Sequence, residues 1–433
     1  MSFASRIPSC LSLLMIIAPF ARAQEASVDT LKELHRRIEI LAQEIERLRL
    51  GEVAEATREG QRGLGPAASK VYTLKKSGVS IAGYGEVVYE NYARKQEDNQ
   101  KANRSDQIDY LRNVIYVGFR FNDWILFNSE VEFEHGSTGK LDSRGSPIGT
   151  VSVEFGYVEL ILSKAVNIRA GMVLPPLGII NEKHEPSTFF TTLRPQVERL
   201  IIPSTWRTNG LGLYGEIAPS LSYRAYIVEG LRAAGFSDSE GVRGGRQSGA
   251  KAIAEDFGFT GKLEYSGLAG TVLGGSFYVG NSGQDATDAR GEISAATTML
   301  SVHGEYAWRG LELRALYAQV NLDEADRLSA ALGRTIGSKM TGWYVVTGLD
   351  LLPFSRPGSE QSITPFVQYE SYNTQAEVPS GYTANKANAR SILAIGLSYK
   401  PHPNVAFKFD YRENKNEAKT GVNQWNLAVS YLF

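Results

Sequence analysis

From Val79 to its last residue the chain alternates apolar and polar positions in short runs, the two-residue period of strands whose faces meet different surroundings. Sixteen strand-like segments follow one another over this stretch. In YLRNVIYVGFRFNDWILFNSEVEFE, residues 110–134, two runs flank Asn122-Asp123, which reads as a hairpin turn. Ile125, Phe127, Val131 and Phe133 share one face, and Asn128, Glu130, Glu132 and Glu134 share the other. The closing run WNLAVSYLF repeats the pattern, with Trp425, Leu427, Val429, Tyr431 and Phe433 against Asn426, Ala428 and Ser430. Alternation alone would also suit a soluble sandwich.

The connections separate the two readings. Short ones, such as Asn122-Asp123, Ser163-Lys164-Ala165, Pro219-Ser220, Ser266-Gly267, Arg309-Gly310 and PHPN at 401–404, alternate with long polar ones near 93–108, 136–149, 175–208, 231–254, 281–297, 321–339, 373–389 and 413–423. PFSRPGSEQS belongs to the short series but is longer. A Greek-key sandwich does not segregate its loops by parity. A meander closed into an outer-membrane barrel does, with tight periplasmic turns and long external loops. Hydrocarbon leaves backbone groups no partner but each other, so a spanning sheet must close. The expected fold is therefore all-β: a sixteen-stranded antiparallel outer-membrane β-barrel over residues 70–433, both of its ends facing the periplasm. The 21 Tyr, 18 Phe and 5 Trp suit aromatic girdles at the two interfaces.

The first 69 residues differ in character. Residues 1–23 read as a signal peptide, with Arg6, the apolar run LSLLMIIAPF and the site Ala21-Arg22-Ala23. Cys10, the single cysteine, falls inside it and ahead of the apolar run, a poor place for lipidation. Disulfides and thiolate metal sites are thus not expected in the mature chain. Over residues 24–50, Leu31, Leu34, Ile38, Leu41, Ile45 and Leu48 recur at heptad spacing and predict a periplasmic coiled-coil helix. About three heptads are marginal alone, so the seam is expected to join copies of the chain, with packing on its own domain as the alternative. Residues 51–69, rich in Gly and small side chains, read as a linker. Without Arg6 and Arg22 the chain has 44 basic and 47 acidic residues, which gives no reason to expect nucleic-acid binding.

Strand parity assigns charges to the lumen. With Ile115, Val117, Phe119 and Phe121 facing lipid, Arg112 and Arg120 face inward. The same rule turns Arg169, Arg224, Arg314, Lys408 and Arg412 inward, with Glu86, Glu90, Glu130, Glu132, Glu134, Glu216, Glu264, Glu370 and Asp410. A lipid-facing Lys or Arg near mid-bilayer costs about 2–4 kcal/mol. Such an interior suits a water-filled channel, and equally a wall stiffened by pairing charges. Glu154 and Glu159 have opposite parity, so one of them requires a bulge or an interfacial position. The connection LPPLGIINEKHEPSTFFTTLRPQVERLIIPSTWRTNG, residues 174–210, is too apolar for an open loop. Folding it into the barrel covers its apolar side chains and makes Lys183, His184, Glu185, Arg194, Glu198, Arg199 and Arg207 the candidate constriction. Basic residues there would attract anions, which guanidinium groups can hold bidentately.

The segments GVSIAGYGEVVYENY, FNDWILFNSEVEFEH, NIRAGMVLPPLGIINEKHEPSTF and RPQVERLIIPSTWRTNGLGLYG, with the terminal strand ending in Phe433, together resemble the phosphate-selective porin family of Gram-negative outer membranes. The resemblance implies a trimeric sixteen-stranded barrel with the loop after the fifth strand folded inward. Here the inward strand charges are as much acidic as basic, so phosphate selectivity is not carried over. A terminal aromatic like Phe433 resembles the signal read by the barrel assembly machinery. Catalysis is not expected. His35, His135, His184, His303 and His402 lack metal-ligand spacing, His184-Glu185 with Ser187 suits a channel loop better than a hydrolase, and GGRQSGAK lacks the G-K-[ST] ending of a phosphate loop. Arg232, Arg243, Arg246 and Lys251 around that stretch are expected to meet lipopolysaccharide or the pore mouth. The expectation is a passive outer-membrane porin without cofactor, surrounded by lipid and lipopolysaccharide and admitting small hydrophilic solutes or anions. The alternative is a structural tether acting through its coiled coil.

Overall fold

The computed structural model describes residues 36–38, 60–142, 145 and 148–433. The chain divides into two units, Met1–Glu59 and Gly60–Phe433. Of the heptad seam only Ile38 is described, exposed on a helical turn. Leu31, Leu34, Leu41, Ile45 and Leu48 lie outside the described residues, as does the expected signal peptide.

In the second unit the strands are β1 (Gly78–Tyr92), β2 (Gln107–Arg120), β3 (Ile125–Glu134), β4 (Val151–Ile161), β5 (Asn167–Val173), β6 (Thr208–Ala218), β7 (Leu221–Glu229), β8 (Phe257–Leu268) and β9 (Thr271–Gly280). They continue with β10 (Thr287–Asp288), β11 (Gly291–Glu292), β12 (Thr297–Trp308), β13 (Leu311–Leu322), β14 (Lys339–Leu349), β15 (Ser362–Glu377), β16 (Ala389–His402), β17 (Val405–Asn416) and β18 (Gln424–Leu432). All but β10 and β11 join one closed antiparallel barrel of sixteen strands, in sequence order around the ring. The short β10 and β11 pair with each other in a long loop. There Arg327 binds Asp288 Oδ1 at 2.6 Å, and its hydrogen bonds hold the Asp288 carboxyl down to about 2.

Closure is made by the terminal run. β18 pairs with β1 from Tyr84↔Leu432 to Tyr92↔Gln424, and Phe433 exchanges backbone hydrogen bonds with Gly83 at 2.9 and 3.0 Å. Gly83 is required there, since a Cβ at this position would come within 2.7 Å of the Phe433 ring and 2.4 Å of the Val114 carbonyl oxygen. Trp425, Leu427, Val429 and Phe433 are exposed on the outer face, while Asn426, Ala428 and Ser430 are buried inside, as the alternation predicts.

The same parity runs round the ring. Ile115, Val117, Leu211, Leu213, Ile227, Val302, Ile395 and Phe407 form an exposed apolar belt, the surface a hydrocarbon solvent requires. Phe121, Trp124, Tyr265, Trp308, Phe354 and Phe433 ring the short-turn rim, and Phe257, Trp343, Tyr411 and Trp425 ring the long-loop rim. The conflict between Glu154 and Glu159 is resolved by a bulge. The register passes from Glu130↔Phe155 to Val131↔Val153, leaving Glu154 as the extra residue, so both carboxylates are buried on the inner side.

Much of the hydrophobic core lies within the lumen, where the inward loop packs against the wall. Residues 174–207 fold inward, and their Leu177, Ile179, Leu200, Ile201 and Trp206 pack with the wall residues Tyr84, Tyr116, Phe155, Tyr226, Tyr278 and Tyr344. Residues 60–69, expected as linker, also belong to this core through Leu64, Ala67 and Ala68. A ring of sixteen strands is wider than its own side chains can fill, and small residues let a second segment lie close against the wall. Replacing Gly83 by Val should destabilise closure by roughly 1–3 kcal/mol. The check is the temperature at which the folded, fast-migrating band on a gel is lost, which should fall relative to the parent.

Candidate functional site

A loop that crosses the middle of a barrel carries backbone groups away from bulk water, and each must find a partner. Charged side chains of the wall and of the loop itself supply them. Glu198, fully buried, accepts from the amides of Ile179 at 3.1 Å and Ile180 at 3.2 Å and from the Tyr344 hydroxyl at 3.0 Å. Lys408 on β17 donates its ammonium to the carbonyls of Pro186, Phe189 and Thr191. Asp410, two residues along, accepts from the amide and hydroxyl of Thr192 at 2.7 and 2.9 Å. Glu370 on β15 accepts from the Val197 amide at 3.1 Å, and Arg314 on β13 donates to the Thr188 carbonyl. The period-two pattern puts the strand charges among these inside, and the loop consumes them.

The structure places all seven candidate constriction residues in this inward loop but divides their work. His184 bonds Glu130 through Nε2 at 3.0 Å and the Asn181 carbonyl through Nδ1 at 3.1 Å, so both ring nitrogens are engaged. Glu185 accepts from the amides of Ala67 and Ala68, Glu198 holds its own loop, and Arg207 pairs with Glu154. Lys183, Arg194 and Arg199 retain more freedom. Arg194 donates to the His184 carbonyl at 2.9 Å, Arg199 pairs with the half-buried Glu240 at 3.1 Å, and the half-buried Lys183 makes no ion pair among the described residues.

The wall residues pair in the same way. Arg112 contacts Glu86 at 2.8 Å and Glu132 at 3.8 Å, Arg169 meets Glu159 at 3.2 Å, and Arg314 meets Glu305 at 3.2 Å. Arg224 binds Glu182 at 3.1 Å and also Glu264, while Lys262 reaches Glu182 at 3.0 Å. Arg412 meets Glu370 at 3.4 Å. Two assignments move to the rims. Arg120 donates to the Asn122 and Asp123 carbonyls of a short turn, and the half-buried Glu134 accepts from Thr150 near the long loops. Pairing over most of the wall is the stiffening alternative rather than a ring of free charge.

Above the inward loop, toward the long-loop end, lies a vestibule of about 600 Å³. Leu193, Gln196, Arg199 and Leu200 of the inward loop border it, with Arg104, Arg390 and Arg412 among its basic residues and Glu240 opposite. Arg104 and Arg390 were not among the sequence candidates, because they belong to the long connections, or border them, where no period points to an inside. Arg243 and Arg246, expected to meet lipopolysaccharide or the pore mouth, turn back onto the inward loop. They donate to backbone carbonyls of the inward loop, Arg243 to Arg199 at 2.9 Å and Arg246 to Pro203 at 3.3 Å, so this second loop caps the first.

A protein of Aquifex aeolicus (strain VF5), described as uncharacterized, is 36% identical over 398 residues, covering 89% of this chain and 87% of its own length. The chain belongs to that protein's family. No family model matches it. Among solved structures, OmpF of Salmonella typhi in complex with daunomycin is similar with a TM-score of 0.54 at 14% identity, over 83% of this chain and 98% of that one. OmpT of Vibrio cholerae in its trimer form, an outer membrane protein, gives 0.51 at 11% identity, over 83% and 100%. At such identities the likeness shows the fold alone: the chain has the closed sixteen-stranded barrel of these outer-membrane proteins.

Within this family fold the inward loop should depend on its wall anchors. Replacing Lys408 by Met removes the donor to three carbonyls, at roughly 1–3 kcal/mol for a buried group left without its partner. The expected result is faster protease cutting within residues 174–207 of the purified, detergent-solubilised protein, with the barrel band on gels preserved.

Proposed function

We propose that this protein is a passive outer-membrane porin, with a mild preference for small anions. The observation that carries the reading is the vestibule floored by the inward loop inside a closed, apolar-belted barrel. Its border holds Arg104 and Arg390 beyond the pairs Arg199–Glu240 and Arg412–Glu370, an excess of guanidinium that supports attraction of anionic solutes. Phosphate or carboxylate is the chemistry such groups hold best. The extensive pairing of the deeper wall supports weak selectivity rather than a dedicated phosphate path. Lys183 and Arg194 are the constriction residues proposed to act on passing ions, because the other five serve the loop or its rim.

Assembly as a homotrimer, with the heptad helix clamping protomers in the periplasm, is part of the same proposal. So is recognition of Phe433 by the barrel assembly machinery. One observation favours the second reading, a structural tether: the middle of the lumen is packed. Planar-bilayer recording of the purified, folded protein separates the two. Stepwise ion current is expected, and its absence would leave the tether. In a salt gradient the reversal potential should indicate anion preference. Neutralising Lys183, Arg194 and Arg199 together should move it toward cations by several millivolts or more, and an unchanged value would remove these residues from the ion path.

A further inference from the structure

The loop does not fill the lumen by itself. Residues 60–75 run along the inside of the wall at the short-turn end, from β7 to β2, before the chain enters β1. Arg62 pairs with Glu159 at 3.1 Å and donates to the Tyr214 hydroxyl, tying the segment to β4 and β6. Gly63 lies so close to Arg224 that a Cβ would come within 2.4 Å of its guanidinium, and one on Gly65 would come within 2.6 Å of the Glu185 carboxylate. Asn128 on β3 donates to the Ala68 carbonyl at 2.8 Å. Val71 rests on Gly118 of β2, where a Cβ would meet it at 2.5 Å, and Tyr72 donates to Glu159 at 2.7 Å.

Two features distinguish this segment from permanent core. First, most buried side chains of GLGPAASKV are small, so apolar burial holds it less firmly than it holds the aromatic-rich loop. Second, the wall and loop charges beneath it have partners of their own. Glu159 keeps Arg169, Glu182 keeps Lys262, and Arg224 keeps Glu264. Withdrawing the segment would therefore leave these charges paired and free to hydrate.

Glu185 is the exception. Its carboxylate, 1% exposed, makes its hydrogen bonds to the Ala67 and Ala68 amides at 3.1 and 2.9 Å. It belongs to the inward loop, so it joins the two elements that fill the lumen. We infer that residues 60–75 are an autoinhibitory strap, latched by Glu185, whose withdrawal opens the short-turn end of the channel. The inference rests on the channel reading. The strap occupies the interior as an internal ligand, and anything that draws on the chain ahead of Gly60 would favour the open form.

The test compares the full chain, a variant lacking residues 60–73, and Glu185→Ala in planar bilayers, each first shown to be folded by its heat-sensitive gel migration. The deletion is expected to raise single-channel conductance at least threefold. Glu185→Ala is expected to raise the fraction of time spent at the larger level by a similar factor. Equal conductance and equal open fraction in all three would overturn the strap while leaving the porin reading intact. No current through any of them would overturn both. Should the deletion fail to fold, Ala68→Cys supplies a second readout, because Ala68 is 3% exposed. Modification by a water-soluble thiol reagent should be at least tenfold faster when Glu185→Ala is also present, and equal rates would overturn the strap.

Discussion

Closing sixteen strands into a ring satisfies every rung of the sheet and at the same time creates an interior that wall side chains cannot fill. The interior must hold either water or chain, and chain brought there must have its backbone groups bonded. The rest of this structure follows from that constraint. The inward loop is held by Glu198, Lys408, Asp410 and Glu370, each bonding main-chain amides or carbonyls. The strap is held by Glu185 and Asn128 in the same manner. Charges at alternate strand positions anchor both non-strand segments, Lys408, Asp410 and Glu370 the loop and Glu159 the strap.

That use of charge limits what remains for a solute. A guanidinium already committed to a carboxylate at about 3 Å offers a passing ion less than its formal charge suggests, and Arg169, Arg224 and Arg412 are committed in this way. The groups with more freedom are at the edges: Arg104 on a long loop, Arg199 on the vestibule floor, and Lys183 and Arg194 in the inward loop. Selectivity, on this account, belongs to the vestibule and loop more than to the wall. The paired wall gives the barrel a stiff frame against which the softer elements can move.

The barrel was legible in the sequence because a sheet with lipid on one side and polar groups on the other writes its period directly. The strand count, the closing role of WNLAVSYLF and the conflict between Glu154 and Glu159, which called for a bulge or an interfacial position, all follow from that period. The inward course of residues 174–207 was legible from composition, since apolar side chains in a long connection need cover. The strap was not. GLGPAAS reads as a linker because small residues and Gly serve flexible connectors and close packing alike, and only the facing Gly118 and Glu185 distinguish the two. The division of labour among the constriction residues was equally hidden, because pairing depends on which wall strand lies opposite. Period and composition carry no such information for a loop.

The central claim is that loop and strap form a hydrogen-bonded, packed filling of the lumen. It is tested most directly by hydrogen exchange of the folded protein, read peptide by peptide by mass spectrometry. The account predicts that the amides of Ile179, Ile180 and Val197 exchange as slowly as those of the barrel strands, with Ala67 and Ala68 protected to a lesser degree. Exchange of residues 174–207 at the rate of the exposed long loops would contradict it.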